Sequence, residues 1–385
     1  MPPTPQKIFD KIRRGWYNAF VSDEIADKIT TTTLPRSRKV ELAVSIPLAM
    51  AIFFFGVIGV FGFCFWLYSL VPLTAPRGGF YLDFTSSNFE NYADYSGFDI
   101  ELYGDELRVL TITDFHFFGF PIFVDGRTER AITEMVERTQ PQLIFVLGDN
   151  VSTLFTNHWA QNRFIRLMDS FEIPWIPLMG NHDARGRASE YWMVTQFYYS
   201  QYARFLWGAN NLGVAGNFFV NITNEGVPVH TFFFLSSQES RAASSDYEPY
   251  TLEQIAWFEW ASDGINARAG AIVPSTIMLH IPLPIFNNVW AYGYIISGTS
   301  SHEAYSAPHD NGFFEVIYAR GATENIIAGH DHSNNAIAIY RGIRFASVPF
   351  ITGNIAIFGA PGTNQGAMII TILPCGTLEL EPIDR

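Results

Sequence analysis

Five short apolar runs in this chain of 385 residues each end in side chains able to hold a metal ion. LRVLTIT (107–113) is followed by Asp114 and His116, and LIFVLG (143–148) by Asp149. WIPLMG (175–180) leads into Asn181, His182 and Asp183; TIMLH (276–280) ends on His280; NIIAG (325–329) leads into His330 and His332. Along an extended chain, residues two apart point to the same side, so His330 and His332 can reach one crevice. An isolated HxH is as easily a polar loop. Five such blocks, holding five of the nine histidines, are harder to assign to chance.

With His182 set aside, four histidines, Asp114, Asp149 and Asn181 form a nitrogen and oxygen donor set without thiolate. That set suits iron, manganese or zinc better than a soft metal or calcium. Seven donors with a shared carboxylate exceed the needs of one tetrahedral ion and suit two, either two divalent ions or a mixed-valence pair. Two ions roughly 3.5–4 Å apart can clamp a phosphoryl group in an in-line displacement.

The ordered set D-x-H, G-D, G-N-H-D, H and G-H-x-H resembles the calcineurin-like metallophosphoesterase superfamily, from residue 105 to about 350. The linking text, GDN, HIPLP and GHDHSN, is similar to its single-domain branch related to purple acid phosphatases. The resemblance implies that Asp114, His116 and His332 bind one ion, that Asn181, His280 and His330 bind the other, and that Asp149 bridges them. It further implies that His182 contacts the phosphate and protonates the leaving oxygen, with Asp183 orienting it. A hydroxide between the ions would be the nucleophile, and no phosphoenzyme would be needed. One departure stands out. The family's purple enzymes carry a tyrosine three residues after the bridging aspartate, where this chain has Ser152, and have no imidazole at the place of His116. Neither tyrosinate colour nor a fixed ferric ion is therefore expected.

The elements that must position these residues follow from the pattern. The five runs are 5–7 residues long and apolar on both faces, as buried strands are. DGRTERAITEMVERT (125–139) has helical spacing behind an Asp125 cap, and TLEQIAWFEWASDG (251–264) behind a Thr251 cap. Strands alternating with helices predict an α/β fold, with ligands at the carboxyl ends of the strands. AIAIY, IRFASV, GAMIITIL and TLELEPI follow in close succession and predict a second, more antiparallel sheet. The expected fold is a two-sheet α/β/β/α sandwich preceded by one transmembrane helix.

That helix is read from Ala43 to Pro72, 30 positions without a charged residue, where roughly 20 suffice to cross a bilayer core. A cleaved signal peptide would have a shorter apolar region nearer the amino terminus. Lys28, Arg36, Arg38 and Lys39 precede the run and only Arg77 follows it closely, which places the amino terminus in the cytosol and the large domain in the lumen or outside. The expected divisions are a basic tail (1–42), a signal anchor in the lipid bilayer (43–72), a connector (73–104) and the phosphoesterase domain (105–385). The tail stretch KIFDKIRRGWYNAF reads as a short basic amphipathic helix on an anionic leaflet or, equally, as a solvated tail. Residues 1–77 hold nine of the 24 Lys+Arg and five of the 37 Asp+Glu, leaving 15 against 32, net −17, for the remainder. Nucleic acid is therefore not an expected partner. Cys64 and Cys375 cannot form a disulfide within the large domain. Asn221 is a glycan acceptor if that domain is lumenal, whereas Asn150, beside the site, should be unmodified.

Arg185 and Arg187 follow the third block and could clamp a phosphate. His302 and His309 lie in a loop, 297–312, able to lie over the site and contact substrate. His158 and His230 match no block and read as structural, and Trp257, Phe258 and Trp260 as helix packing. The leading functional reading is hydrolysis of phosphate monoesters. The alternatives are a phosphodiesterase acting on nucleotides or lipid head groups, and a catalytically silent membrane-anchored binding module of the same fold.

Overall fold

A computed structural model describes residues 36–69, 73, 84, 89, 96–119, 125–153, 156–183, 186, 188–209, 212, 214–237, 247–300, 303–353 and 365–385. The chain divides into two compact units, Met1–Leu70 and Val71–Arg385.

The first unit contains the helix α1, Arg36–Ser69. At 1.5 Å per residue its 34 residues extend about 51 Å. Among its described side chains, Phe53, Phe55, Val60 and Phe61 are all exposed. Its side chains are described from 49 to 64 and at 67. Among the described residues, no helix is long and apolar enough to cross a membrane. The helical state of 43–69 is thus seen, whereas the membrane-spanning role expected of 43–72 is not shown. The tail residues 1–35 lie outside the described residues, as does most of the connector before 96.

The second unit is built from β1 (Gly97–Glu101), β2 (Leu107–Ile112), α2 (Asp125–Thr139), β3 (Leu143–Leu147), α3 (Asn157–Ser170), β4 (Trp175–Leu178), α4 (Glu190–Phe197), β5 (Phe218–Asn224), β6 (Val227–Leu235) and α5 (Leu252–Ala269). It continues through β7 (Ser275–Leu279), α6 (Ile285–Tyr292), β8 (Tyr294–Ser297), α7 (Phe313–Arg320), β9 (Thr323–Ala328), β10 (Ile337–Tyr340), β11 (Ile343–Ser347), β12 (Gly366–Ile372) and β13 (Leu378–Asp384). One sheet has the order β13-β12-β2-β3-β4 and the other β1-β5-β6-β7-β9-β11-β10-β8. Strands β2, β3 and β4 are parallel, as are β6, β7, β9 and β11.

The sheets stack face to face. Ring centroids place Phe145 of β3 at 5.0 Å from Phe232 and 5.1 Å from Phe234 of β6. Phe233, between those two, points to the opposite face and packs on Phe258 of α5 at 4.8 Å, as the period of two requires. Helices α2 and α3 add Ile132, Met135 and Phe164 to the core shared by the two sheets. Helices α5, α6 and α7 cover the outer face of the larger sheet through Trp257, Phe286 and Phe313. All five residues of β3 are buried, which explains why LIFVL shows no alternation. The capping box at the start of α5 is formed by Thr251 and Gln254, and Gly270 closes that helix at φ 68°, a left-handed position that favours glycine.

Two expectations need correction. The late strands do not form a sheet of their own: β11 pairs parallel with β9 and β12 antiparallel with β2, so they complete both sheets. Each tight turn fixes its own hairpin, but edge burial decides which sheet receives it. The end of the segment 73–104, expected to join the domain edge, supplies the edge strand of the larger sheet: Gly97–Glu101 pair with β5, and Phe89 packs on Trp260 at 5.2 Å. Asn221 sits in β5, 1% exposed, donating to Asp99 at 2.9 Å and accepting from Thr231 at 2.9 Å. A buried strand amide has no room for a glycan, which corrects the reading of Asn221 as an acceptor.

Candidate metal centre

The carboxyl ends of β2, β3, β4, β7 and β9 release their chains into one cluster of polar side chains. The loops after β2 and β3 are held together by backbone bonds: Asp114 N–H to Gly148 O, 3.1 Å; His116 N–H to Asp149 O, 2.9 Å; Phe117 N–H to Asn150 O, 3.0 Å. The loop after β2 is tied further by Phe118 N–H to Asp125 Oδ1, 2.8 Å. Asp125 therefore braces the loop as well as opening α2. Asp114, His116, Asp149 and His330 all have positive φ, at 58°, 50°, 52° and 66°. This left-handed conformation costs a non-glycine residue on the order of 1 kcal/mol. It recurs where the chain leaves β2, β3 and β9 to enter the cluster.

Close approach explains the glycines. A Cβ on Gly180 would strike the backbone nitrogen and carboxylate of Asp149 and come within 2.8 Å of His280 Nε2. One on Gly148, at φ 92°, would come within 2.8 Å of His280 Nδ1.

Three sets of donors can each be spanned within 4.8 Å: Asp114, His116 and His332; His116, Asp149 and His182; Asp149, His280 and His330. In the first, His332 Nε2 lies 3.1 Å from Asp114 Oδ1 and 3.2 Å from His116 Nε2. Two imidazole nitrogens that close suit one shared ion with bonds of roughly 2.1 Å. In the last, His280 Nε2 lies 3.2 Å from Asp149 Oδ1 and 3.1 Å from Asn181 Oδ1. Asp149 turns Oδ1 to this group and Oδ2 toward His116, 3.8 Å away, as a bridging carboxylate must.

The donor chemistry fits two ions. His280 donates through Nδ1 to Leu147 O at 2.7 Å, leaving Nε2 toward the cluster, the arrangement in which an outer hydrogen bond orients a metal-binding imidazole. His330 Nε2 is buried without a hydrogen-bond partner, an expensive state that a bound ion would relieve. Burial pushes His116 and His330 down to about 3, so both keep their lone pairs at neutral pH. Burial also opposes charge on Asp114 and Asp149, but the surrounding histidines outweigh it and hold both carboxyls well below the usual range. For His280, burial acts downward, but the Asp149 and Asp114 carboxylates and the Leu147 carbonyl together outweigh it and push it up to about 9.

His182 is placed differently. It is 29% exposed, with Nε2 at 3.9 Å from Asp149 Oδ2, while its backbone N–H donates to Asp149 Oδ1 at 2.8 Å. Its Nδ1 lies 3.1 Å from Ser152 Oγ. Asp183, to which the resemblance gave the role of orienting His182, makes its hydrogen bonds to other groups. It is fully buried and accepts from Gly180 N–H at 2.7 Å, Val151 N–H at 2.8 Å and Asn150 Nδ2 at 3.2 Å. Burial and the neighbouring Asp149 push its carboxyl up to about 8. The carboxyl group joins two loops, and three donors around it fix its direction. Asn150 also donates to Leu178 O at 3.2 Å, so no glycan fits there either.

Arg185, Arg187 and His302 lie outside the described residues. His309 is exposed. The segment around it is anchored elsewhere, by Ala304 N–H to Asn287 and Asn311 to Tyr250 O. Its start comes near the metal-binding loop, where Ser300 bridges Asn334 and Thr299 N–H donates to Asn335 at 2.9 Å. His230 is buried between Gly376 O and Thr276 Oγ1, and His158 is buried in α3. Three contributors escaped the sequence reading. Tyr247 sets its ring perpendicular to His330 at 4.7 Å, Phe350 stacks on His332 at 5.3 Å, and Ser152 meets His182. Ser152 was marked by its departure from the family pattern, but nothing in the local sequence marks Tyr247 or Phe350.

A family model described as calcineurin-like phosphoesterase matches residues 107–334. Among curated proteins, "Probable inactive purple acid phosphatase 14" of Arabidopsis thaliana is 25% identical over 277 residues, covering 61% of this chain and 68% of the relative. "Phosphatase DCR2" of Saccharomyces cerevisiae is 23% identical over 232 residues, covering 55% of this chain and 39% of the relative. Among solved structures, a dimetal phosphatase from Danio rerio aligns over 73% of this chain and 99% of its own, with 12% identity and a TM-score of 0.45.

Proposed function

Because this chain belongs to the calcineurin-like phosphoesterase family, we propose that it is a membrane-anchored hydrolase of phosphate monoesters with a dinuclear metal centre. The observation that carries the reading is the convergence of the three donor sets, with Asp149 turning one oxygen to each side. Asp114, His116 and His332 would hold one ion; Asn181, His280 and His330 the other; Asp149 would serve both. Manganese, iron and zinc all suit these donors. Bound there, two ions supply Lewis-acid stabilisation of the phosphoryl oxygens and acidify the attacking water. The remaining work falls to His182. Its partial exposure and its placement beside the cluster suit contact with a phosphate and delivery of a proton to the leaving oxygen. The anchoring part of the reading is supported by the uncharged run from Ala43 to Pro72 and by the cations that precede it. The same asymmetry favours a lumenal or extracellular hydrolase domain.

The word "inactive" in the Arabidopsis name belongs to that relative. Here every donor and His182 are present. The deciding experiment is hydrolysis of p-nitrophenyl phosphate and bis(p-nitrophenyl) phosphate by the full-length protein in detergent, loaded with each metal, beside Asp149→Asn and His182→Ala. Metal-dependent turnover of the monoester, lost in both variants, is the expected result. Faster turnover of the diester would favour a phosphodiesterase. Two ions per chain with no turnover of either ester would favour a silent binding module. Protease treatment of sealed vesicles tests the orientation: cleavage of the large domain from the cytosolic side would refute it.

A further inference from the structure

We propose that Ser152 is the residue that positions His182 for proton delivery, an inference that rests on the hydrolase reading above. The carboxylate next to His182 in sequence is committed elsewhere, because Asp183 is enclosed by the N–H groups of Gly180 and Val151 and by Asn150. The Ser152 hydroxyl stands 3.1 Å from His182 Nδ1. Its backbone is fixed: Ser152 N–H donates to Phe117 O at 2.9 Å, and Val151 forms a bridge with Phe117. The hydroxyl thus belongs to the same pair of zipped loops that carries Asp114, His116 and Asp149.

A hydroxyl can accept or donate a hydrogen bond, whereas a carboxylate only accepts. In the imidazolium form Nδ1–H donates to Ser152 Oγ while Nε2–H is aimed at the leaving oxygen. As a water oxygen bonds to phosphorus and the bond from phosphorus to the leaving oxygen breaks, the electron pair stays on the leaving oxygen, which takes the Nε2 proton. The ring is left neutral with Nδ1–H still donating to Ser152, and water returns the proton to Nε2. Ser152 itself neither gains nor loses a proton. It supplies direction without a second negative charge in a site already holding Asp114 and Asp149.

General-acid assistance contributes about 10²–10⁴-fold, and only where the leaving group needs the proton. Ser152→Ala should therefore lower kcat about tenfold to a hundredfold for an alkyl phosphate, a fraction of that full effect, but only about twofold for 2,4-dinitrophenyl phosphate, whose leaving group departs unprotonated. KM and the content of two metals per chain should be unchanged, and Ser152→Thr should restore most of the alkyl phosphate rate. Combined with His182→Ala, the serine substitution should cost nothing further. Equal losses on both substrates, or loss of metal, would assign Ser152 a merely structural role and overturn the proposal.

A second measurement separates this inference from the reading beneath it. If the wild type hydrolyses no ester, the hydrolase reading fails, and the imidazole nitrogen resonances of ¹⁵N-histidine-labelled protein test the contact alone. A displaced His182 Nδ1 resonance in Ser152→Ala supports the pairing; an unmoved one overturns it.

Discussion

Gly180→Ala separates the packing of the metal donors from every other feature of the site. The backbone at Gly180 does not lie in the left-handed region, so alanine meets no φ penalty there. By restricting the unfolded chain, alanine even favours folding, by about 0.4–1 kcal/mol, because fewer conformations are lost. The cost is steric. The new methyl would collide with the backbone nitrogen and carboxylate of Asp149 and reach His280 Nε2 at 2.8 Å. Overpacking of this kind costs about 1–3 kcal/mol. The net destabilisation should be between about 0 and 2.6 kcal/mol, a fall in Tm of at most a few degrees for a unit of this size. Metal binding should suffer far more than stability, because the bridging carboxylate and one imidazole must both move. Loss of outer-shell support alone weakens metal binding about 10–100-fold, and displacement of the donors themselves should weaken it at least that much. The assay is metal content by mass spectrometry and manganese affinity by calorimetry, with Tm measured in parallel. Gly270→Ala is the control, since it adds about 1 kcal/mol of φ strain at the end of α5 and its Cβ meets nothing within 4 Å. It should lower Tm while leaving metal affinity intact. If Gly180→Ala retained two ions at wild-type affinity, the close packing of Gly180 against Asp149 and His280 would be refuted.

Further predictions concern groups outside the ion contacts. Asp183→Asn should cost about 1–3 kcal/mol in denaturant unfolding, because the new amide leaves buried N–H groups unpaired, without the leaving-group dependence expected of Ser152→Ala. His230, held neutral by burial with its pKa lowered to about 3, takes up a proton below about 6.5 when the chain unfolds. Stability should therefore fall as pH drops from 6.5 toward 3, by about 1.4 kcal/mol per pH unit. His230→Gln should remove that component of the slope while lowering stability at pH 7, and an unchanged slope in the variant would contradict it. Thr251→Ala breaks the capping box of α5 and should cost about 0.5–2 kcal/mol, read as a lower urea midpoint at an unchanged m-value.

Legibility differed with the range of the interaction. Every ion-binding candidate stood at the end of an apolar run, because a buried strand announces itself by composition and the residue after it is the first free to be polar. The helices α2 and α5 were visible through spacing and caps. The destination of the late strands was not, since β11 and β12 choose their sheets by pairing with β9 and β2, which are distant or non-adjacent in the chain. Asn221 looked like a surface acceptor from its three-residue motif, and only its place inside β5 shows the amide to be buried.

His182 and Asp183 mark the boundary most clearly. Their adjacency suggests a pair, yet adjacent residues near a strand end point in different directions, and the fold turns Asp183 into the loops while bringing Ser152, 30 positions away, to His182. The sequence by itself determined the strand-end donors, the nitrogen and oxygen character of the set, and the family to which they point, because these depend on composition and order along the chain. Tertiary structure alone decided which oxygen of Asp149 faces which histidines, which imidazole is buried without a partner, and what orients the proton donor. Those properties depend on directions and distances between segments that only the packed sheets bring together.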